Sequence, residues 1–265
     1  MRLARQLQSS LISGTASEDS QRGKIRETQV LIGPYQGCSI LESHYVPPPP
    51  GPILKSRLDS WEKWIHDSEA HPLVKVAVGH YQFEALHPFT DGNGRIGRLL
   101  AILQLIESGT LGSPTLNLSP YLETQSDRYR YLLRRVSTHG EWDEWIQFFC
   151  HALTNQGHDA EIRIKQLIEW SKQTINDLRG HGIKGVAIAI AEQLIEQPLV
   201  TVKAMSDRHG VSNQAANSAI NRLVEASVLR EVTGRNYSRL FLADAVMAIA
   251  FGPTTPNTPG ALDRQ

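Results

Sequence analysis

Twelve consecutive residues, HPFTDGNGRIGR at positions 87–98, combine glycines and side chains that could bind a polyphosphate. Gly92 and Gly94 allow the backbone to turn so that successive amide N–H groups point inward as an anion nest. A helix predicted to begin near Gly94 adds its unpaired N-terminal donors and its dipole. Arg95 and Arg98 are three residues apart, so they share one helix face and could each clamp a phosphate with two hydrogen bonds.

Three further side chains of this segment supply the other parts of a phosphoryl-transfer site. Asn93 can donate to the same phosphate oxygens through its amide. Asp91 is a hard carboxylate of the kind that holds a phosphate-bridging Mg²⁺. His87, four residues earlier, could accept a proton from an attacking hydroxyl near neutral pH. These residue types at this spacing predict in-line phosphoryl or nucleotidyl transfer.

The glycines of this segment also match other nucleotide-binding patterns. Residues 92–97 satisfy the dinucleotide fingerprint G-x-G-x-x-G, but that motif needs a strand running into its first glycine. The strand-like run LVKVAV ends at residue 78, and a helical pattern follows it. A P-loop is excluded because no GK[ST] follows a glycine-rich segment. Taken singly, His87 and the two arginines are ordinary structural residues, and their coincidence within twelve positions favours the chemical interpretation.

Helices on both sides must position this segment. Apolar residues at i, i+3 and i+4 predict helices over residues 2–12, 53–67, 72–86 and 95–108. The last of these is apolar nearly all round, as expected of a helix in the middle of a bundle. Further helices are predicted over residues 126–137, 141–154 and 156–178.

Two short extended runs precede these helices. Residues 28–33 and 38–46 are separated by turn residues, which favours a β-hairpin. The prolines of PPPPGP, residues 47–52, then force an extended segment.

The composition excludes several classes of protein. The 265 residues are 40% hydrophobic and 20% charged, and 27 basic residues balance 27 acidic ones, so no global signal points to nucleic acid or membrane. Cys38 and Cys150 alone provide neither a disulfide framework nor a cysteine zinc site. No signal segment and no apolar run near the ~20 residues that span a bilayer is present. A soluble, cytoplasmic protein with no membrane partner is therefore expected.

The pattern changes after about residue 200, and RGHGIKG, residues 179–185, is the predicted domain boundary. The residues that follow predict a helix, a glycine-containing turn and a second helix. Two short strands about a turn then carry Arg230, Arg235 and Arg239. This resembles a winged helix, which could bind DNA through helix amides and these arginines. A module for protein docking or dimerisation is the alternative.

The motif at residues 87–98 resembles the signature of the Fic (Fic/Doc) family, HxFx(D/E)GNGRxxR, and matches it at every position. GKIRETQVLIGP…YVPPPP is similar to the flap region of that family. The resemblance implies an all-α, mainly helical Fic core with a small β-hairpin flap, followed by a C-terminal α/β winged helix-turn-helix domain. The expected boundaries are 1–155 for the core with its flap at about 28–46, 156–180 for a connecting helix, 181–250 for the winged helix and 251–265 for a disordered tail.

The resemblance implies a protein adenylyltransferase that transfers AMP from Mg-ATP to a Ser, Thr or Tyr hydroxyl of a target protein and releases pyrophosphate. By position, His87 would be the base that deprotonates the target hydroxyl, and Asp91 would hold Mg²⁺ against the α- and β-phosphates. Arg95 would contact the β-phosphate and Arg98 the γ-phosphate. The anion hole would consist of Gly92, Asn93 and Gly94.

The same resemblance implies how the two substrates dock. Flap residues would pair with the backbone of the target; they are Val30, Leu31, Ile32 and Gly33. Tyr121 is a candidate for the adenine site, although a tyrosine there also fits the core. The expected partners are ATP and a target protein, which can be this chain itself, and a homodimer remains open.

Many Fic proteins carry an inhibitory helix, [S/T]xxxE[G/N], whose glutamate pairs with the second motif arginine. SSLISG, residues 9–14, has this frame with Ser13 at the glutamate position, and we expect the similarity to be accidental. SPYLET at 119–124 and SVLREV at 227–232 lack the Gly or Asn. We therefore expect no intact brake in this chain. A start downstream of a longer protein's inhibitory helix is the favoured explanation, with control by a partner and an unrestrained enzyme as alternatives.

Two other functions remain open from the residues alone. The chain could be a DNA-binding regulator through residues 200–242 with a vestigial Fic core, but the intact motif argues against decay. It could also be a Fic enzyme that transfers another phosphate-linked group. The complete pair of Arg95 and Arg98 favours the ATP orientation that delivers AMP.

Overall fold

The computed structural model describes residues 1–15, 21–33, 35, 38–235 and 238–252. The chain divides into two compact units, Met1–Gly157 and His158–Gln265. The tail that the sequence predicts to be disordered lies, from residue 253 onwards, outside the described residues. The first unit is mainly helical, as predicted, and the second combines helices with a small antiparallel sheet.

Seven helices begin among the described residues of the first unit. Their bounds are α1 Arg2–Ile12, α2 Pro52–Asp67, α3 Pro72–Leu86, α4 Asn93–Glu107, α5 Ser119–Thr124, α6 Ser126–His139 and α7 Trp142–Gly180. The last of them, α7, continues into the second unit, and α1 to α4 and α6 lie close to the predicted spans. The short helix α5 was not anticipated. Helices α2 and α3 both begin at a proline, which lacks the N–H that a first helical residue cannot use and has a backbone φ already set for a helix.

Helix α4 lies between two apolar clusters, which confirms the interior position predicted from its sequence. Its first half, with Ile96 and Leu100, packs in a cluster formed with α1, α2 and α3. Its second half, with Ala101, Ile102 and Leu105, packs in a cluster formed with α3, α5, α6 and the start of α7. Because both ends of α4 are fixed in this way, its N-terminal turn has a defined position.

One predicted break in the helices is absent. The two helices predicted over 141–154 and 156–178 form a single helix, α7. Gly157 lies within it and does not interrupt it, because one glycine costs a helix only about 1 kcal/mol relative to alanine. The division between the two compact units falls at this glycine.

The predicted flap hairpin pairs at a single point. Ile32 and Tyr45 form an isolated antiparallel bridge, with both amide hydrogen bonds at 3.0 Å. Among the described residues of 28–33 and 38–46, no regular strand is assigned. The two runs are therefore arms that meet as predicted, but with irregular backbone on both sides of the bridge.

The second unit combines helices with a small sheet. Its elements after α7 are α8 Val186–Gln193, β1 Leu199–Thr201, α9 Val202–His209, α10 Asn213–Glu225, β2 Arg230–Glu231, β3 Leu240–Leu242 and α11 Asp244–Phe251. The strands are antiparallel in the order β1-β3-β2, with Val200 opposite Phe241 and Arg230 opposite Leu242. The predicted apolar stripe of α10 is buried at Ala216, Ala219, Ile220 and Leu223. This order of elements is compatible with a winged helix.

Across the described residues, none of the helices has both the length and the apolarity needed to cross a bilayer.

Candidate active site

His87 lies immediately after α3, at the residue that ends the helix. Its backbone is left-handed, with φ 47°, a conformation uncommon outside glycine. Its N–H donates to the Phe83 carbonyl at 3.0 Å, and its ring Nδ1 lies 3.3 Å from the Glu84 carbonyl oxygen. A carbonyl oxygen can only accept, so this contact assigns the proton to Nδ1. The other ring nitrogen, Nε2, is then free to accept a proton.

The surroundings of His87 favour its neutral form. Burial, with a smaller contribution from the nearby Arg26 guanidinium, lowers the pKa of His87 to about 4. The hydrogen bond to the Glu84 carbonyl and the charge of Asp91 oppose this shift. The imidazole is therefore unprotonated at neutral pH, as a general base must be.

The loop between α3 and α4 turns at Gly92, one of the two glycines predicted to form an anion nest, whereas Gly94 lies within α4. Gly92 is left-handed, with φ 83°, and α4 begins directly after it. Asn93 is buried, where its Oδ1 accepts the Phe89 N–H at 2.9 Å and its Nδ2 donates to the Phe89 carbonyl at 2.8 Å. These two bonds close the loop. No side chain of the described residues caps the first turn of α4, so its amide donors remain available to an anion.

Asp91 and Arg95 form an ion pair with each other at the mouth of this loop. Arg95 Nη2 lies 3.2 Å from Asp91 Oδ2, and the two side chains are 43% and 48% exposed. Asp91 Oδ1 accepts the Gly92 N–H at 2.6 Å. Exposed ion pairs of this kind contribute little to stability. Breaking the pair so that each side chain binds another partner therefore costs little free energy.

A metal at this loop would need ligands from a substrate. Among the described residues no group of three His, Cys, Asp or Glu side chains could hold a metal ion. One carboxylate, Asp91, fits Mg²⁺ that arrives with a nucleotide, because Mg²⁺ usually takes one or two carboxylates together with phosphate oxygens and waters.

Arg98 faces a buried carboxylate that the sequence analysis did not identify. Arg98 Nε and Glu84 Oε1 are both buried, and neither has a hydrogen-bond partner among the described residues. Burial raises the pKa of Glu84 to about 7, and Arg98 opposes that shift. A side chain at Gly97 would lie 2.7 Å from Glu84 Oε1, so the glycine makes room for the carboxylate. The available signal was an acid four residues after the buried His80, on the apolar face of α3.

A cavity of about 420 Å³ opens beside His87. It is bounded by the flap, the end of α3 and α6, and its lining includes the aromatic side chains of Tyr45, Tyr81, Tyr129 and Tyr131. Tyr121, the predicted adenine contact, is not part of this lining. Its ring packs 5.8 Å from that of Phe148 in the apolar cluster, so the structure places it in the core.

The predicted docking residues lie in the first arm of the flap. Val30, Leu31, Ile32 and Gly33 are all partly exposed. Ile32 and Gly33 line the cavity that contains His87, whereas Val30 and Leu31 do not.

Helix α1, which contains most of SSLISG, packs directly on the motif. A Cβ atom added to Gly92 would lie 3.4 Å from the Leu11 side chain and 3.8 Å from the Ile12 side chain. Gln8 Nε2 donates to the Asp91 carbonyl at 3.3 Å. Ser13 follows α1 directly, and its hydroxyl accepts from Arg22 Nη1 at 3.1 Å. The segment that we expected to match the inhibitory helix only by accident thus lies against the loop that contains Asp91 and Gly92.

Two of the three predicted DNA-contacting arginines pair with acidic side chains of the second unit. Arg230 donates twice to Asp244, at 2.6 and 2.7 Å. Arg239 donates to Asn217 at 2.7 Å, and its Nη1 lies 3.7 Å from Glu231. Arg235 is exposed.

Comparison with known proteins gives matches in the Fic/DOC family. Residues 2–105 match the model of the Fic/DOC family. A protein of Drosophila virilis named "Protein adenylyltransferase Fic" is 38% identical over 181 residues, which are 66% of this chain and 33% of that protein. A protein of the same name from Culex quinquefasciatus is 30% identical over 131 residues, 48% of this chain and 23% of that protein. The chain thus spans a third or less of the length of these curated relatives.

Among solved structures, the crystal structure of a Fic family protein from Desulfovibrio desulfuricans G20 aligns with a TM-score of 0.49 at 20% sequence identity. The alignment covers 91% of this chain and 67% of that one.

Proposed function

Since residues 2–105 belong to the Fic/DOC family, we propose that this chain is a protein adenylyltransferase that transfers AMP from Mg-ATP to a Ser, Thr or Tyr hydroxyl of a target protein. The observation that carries the proposal is the position of His87. Its imidazole is neutral, with Nε2 free to accept a proton, and it lies at the loop that leads into the uncapped N-terminus of α4.

The proposed reaction is one in-line displacement at the α-phosphorus of ATP. The target hydroxyl oxygen forms a bond to the α-phosphorus, and the bond from that phosphorus to the oxygen bridging to the β-phosphate breaks. Pyrophosphate leaves with the electron pair of the broken bond, and the hydroxyl proton passes to His87 Nε2. The products are the adenylylated target and pyrophosphate.

The charges of the motif fit the triphosphate in this orientation. The amides of residues 92–94 and the dipole of α4 would receive the α- and β-phosphates. Arg95 would turn from Asp91 to the β-phosphate, and Asp91 would then hold Mg²⁺, which when bound would neutralise phosphate charge. Arg98, whose Nε has no partner among the described residues, would take the γ-phosphate.

The cavity beside His87 is the proposed site of the adenine and ribose. Its volume of about 420 Å³ is within the range of small-ligand sites, which are lined mainly by apolar and aromatic side chains. Tyr45 and Tyr131 replace Tyr121 as the candidate contacts, since both line the cavity and Tyr121 does not. The flap residues Ile32 and Gly33 would hold the target backbone at the edge of the same cavity.

Release of pyrophosphate together with a gain in protein mass tests this proposal. The intact chain is incubated with Mg-ATP and an acceptor protein, or alone so that it labels itself. We expect one pyrophosphate for each AMP incorporated, loss of both in His87→Ala, and normal rates in the control His66→Ala, which changes an exposed histidine of α2. Equal rates in His87→Ala and the wild type would exclude His87 as the base.

A further inference from the structure

Arg26 is a buried arginine outside the motif, and its guanidinium binds the main chain at four places. The residue is 1% exposed. Its Nε donates to the His87 carbonyl at 2.8 Å and its Nη1 to the Thr28 carbonyl at 3.1 Å. Its Nη2 donates to the carbonyls of Pro48 at 2.5 Å and Leu86 at 3.5 Å. Burial lowers the pKa of Arg26, and no acid among the described residues opposes that shift.

A buried cation with only carbonyl partners needs a reason to be there, since removing a charge from water is costly. The carbonyls of Leu86 and His87 lie at the C-terminal end of α3, which carries the negative end of the helix dipole and lacks intrahelical donors. Arginine suits this position because its planar fork presents five donors in fixed directions. The main chain thus supplies both the negative potential and the acceptors that Arg26 needs.

The four carbonyls belong to three separate parts of the chain. Thr28 begins the first arm of the flap, Pro48 follows the end of its second arm, and Leu86 and His87 belong to the end of α3. The backbone N–H of Arg26 adds a hydrogen bond of 2.9 Å to the Pro88 carbonyl. One residue therefore joins both arms of the flap to the segment that contains the proposed base.

The backbone of His87 requires such support. A left-handed conformation costs a non-glycine residue on the order of 1–3 kcal/mol and persists only where surrounding contacts impose it. The hydrogen bonds from Arg26 to the carbonyls on either side of the His87 N–Cα–C unit are contacts of this kind.

We infer that Arg26 is a positioning residue: it holds both arms of the flap and the His87 backbone in one geometry, so that a hydroxyl docked on the flap meets the imidazole. This inference rests on the proposed function. A misplacement of about 1 Å between reacting groups can reduce a rate by about 100-fold. The contacts of Arg26 do not reach the loop at residues 91–95, so ATP binding should be much less dependent on it than transfer.

The test uses the full chain as Arg26→Gln, Arg26→Lys and the control Leu153→Ala, a buried residue of the second apolar cluster that lies outside the cavity lining. Self-labelling with Mg-ATP gives kcat and the KM for ATP, and hydrogen exchange follows peptides covering residues 28–33 and 43–48. We expect Arg26→Gln to lower kcat at least tenfold, to change the KM for ATP less than twofold, and to speed exchange in both flap arms. For Arg26→Lys we expect a kcat and a flap exchange rate between those of the wild type and Arg26→Gln, because one ammonium cannot reach all four carbonyls.

Leu153→Ala separates positioning from general destabilisation. We expect it to lower the melting temperature while keeping kcat and slow exchange in the flap. The inference is overturned if Arg26→Gln and Leu153→Ala behave alike, or if flap exchange in Arg26→Gln equals that of the wild type. Should Arg26→Gln fail to fold, the same comparison is decided with Arg26→Lys. If the wild type transfers no AMP but both Arg26 variants speed flap exchange, the proposed function fails while Arg26 still anchors the flap to His87.

Discussion

The Glu84 carbonyl determines which ring nitrogen of His87, the proposed base, carries the proton. Because the Glu84 carbonyl oxygen accepts from Nδ1 of His87, the proton available for transfer chemistry must enter at Nε2. The same histidine is buried enough that its pKa falls to about 4. The transfer rate should therefore depend little on this group from pH 6 to 8.

The pKa shifts of three groups in or near the motif predict that stability also depends on pH. Burial lowers the pKa of His80 and of His87 to about 4 and raises that of Glu84 to about 7. Between about pH 4.5 and 6.5 the unfolded chain binds protons on both histidines that the folded chain does not, and the folded chain binds one on Glu84. The net difference is about one proton, so the unfolding free energy falls as the pH falls, by at most about 1.4 kcal/mol per pH unit.

The substitution Glu84→Gln isolates the contribution of Glu84 to this pH dependence of stability. Removing the carboxylate leaves the two histidines unopposed, so we expect stability to fall more steeply on acidification, by up to roughly 2.7 kcal/mol per pH unit. Urea unfolding of both proteins at pH 7, 6 and 5 measures the two slopes, and all other groups cancel in the comparison. A variant slope equal to or shallower than that of the wild type would show that Glu84 is ionised throughout this range.

The sequence identified the motif residues, but two important partners of the motif were not predicted. Arg26 lies 61 residues before His87, and its role exists only because the flap base folds onto the end of α3. Glu84 has helical spacing from His80, but its burial depends on the close approach of α4 at Gly97. The spacing of residues within one segment is enough to predict the chemistry of the motif. Contacts between distant segments, such as those of Arg26, can be seen only in the tertiary fold.

At the level of elements, the approach of α3 and α4 depends on a glycine that the dinucleotide fingerprint includes by accident. A Cβ on Gly97 would lie 2.7 Å from Glu84 Oε1 and 3.2 Å from both His80 Cε1 and Phe83 Cδ1. Phe83 is fully buried, so the neighbours have little room to move. Gly97 therefore serves packing between the helices.

Gly97→Ala and Gly157→Ala form a matched pair of helix glycine substitutions. We expect Gly97→Ala to lower the unfolding free energy by roughly 1–3 kcal/mol through overpacking. Gly157→Ala, where nothing lies within 4 Å of the new Cβ, should raise it by about 0.5–1 kcal/mol through better helix propensity. Thermal or urea unfolding measures both. A stabilised Gly97→Ala protein would contradict the close packing of α3 on α4.

The contact of α1 with the motif leads to a second prediction at this scale. In Fic proteins with an inhibitory helix, a glutamate at the position of Ser13 pairs with the second motif arginine. We expect the wild type to label without any activating mutation, and Ser13→Glu to slow labelling several-fold by occupying Arg98. Labelling with Mg-ATP measures both, and Ser13→Gln is the uncharged control of similar shape.

Arg22 must be considered in this experiment, because its Nη1 already donates to the Ser13 hydroxyl and could capture the new carboxylate. The Ser13→Glu change is therefore also made together with Arg22→Ala. Full activity of that double variant would contradict the prediction that a glutamate at position 13 occupies Arg98.

The positions of α1 to α4 were predicted well, whereas the continuity of α7 and the irregular backbone of the flap were not. Apolar periodicity marked α1 to α4 within a few residues of their ends, because each buries one continuous stripe. The same periodicity is interrupted near Gly157, although α7 continues through it. The flap runs have strand-like composition, but among their described residues the Ile32–Tyr45 bridge is the only backbone pairing of strand type. Side-chain type does not determine how many backbone pairs two short arms make.

At the scale of the whole molecule, 27 basic residues balance 27 acidic ones. Binding to a nucleic acid would therefore depend on a local cluster of positive charge. Two of the three predicted phosphate contacts, Arg230 and Arg239, already face acidic side chains within their own unit. A winged helix that bound DNA would need these cations on phosphates, where they supply most of the affinity.

We therefore expect no shift of genomic DNA fragments by the intact chain at physiological salt in a gel-shift assay. Lowering the salt should produce at most weak binding without sequence preference. Tight, sequence-dependent binding at physiological salt would contradict this expectation and would favour the alternative of a DNA-binding regulator.

The central claim is that this chain transfers the α-phosphorus of ATP with His87 as the base. The most direct test incubates the intact chain and its His87→Ala variant with Mg-ATP labelled at either the α- or the γ-phosphate, and measures label bound to protein. We predict label from α-labelled ATP only, and none in His87→Ala. Label that arrives only from the γ position, or α label that persists in His87→Ala at the wild-type rate, would contradict the claim.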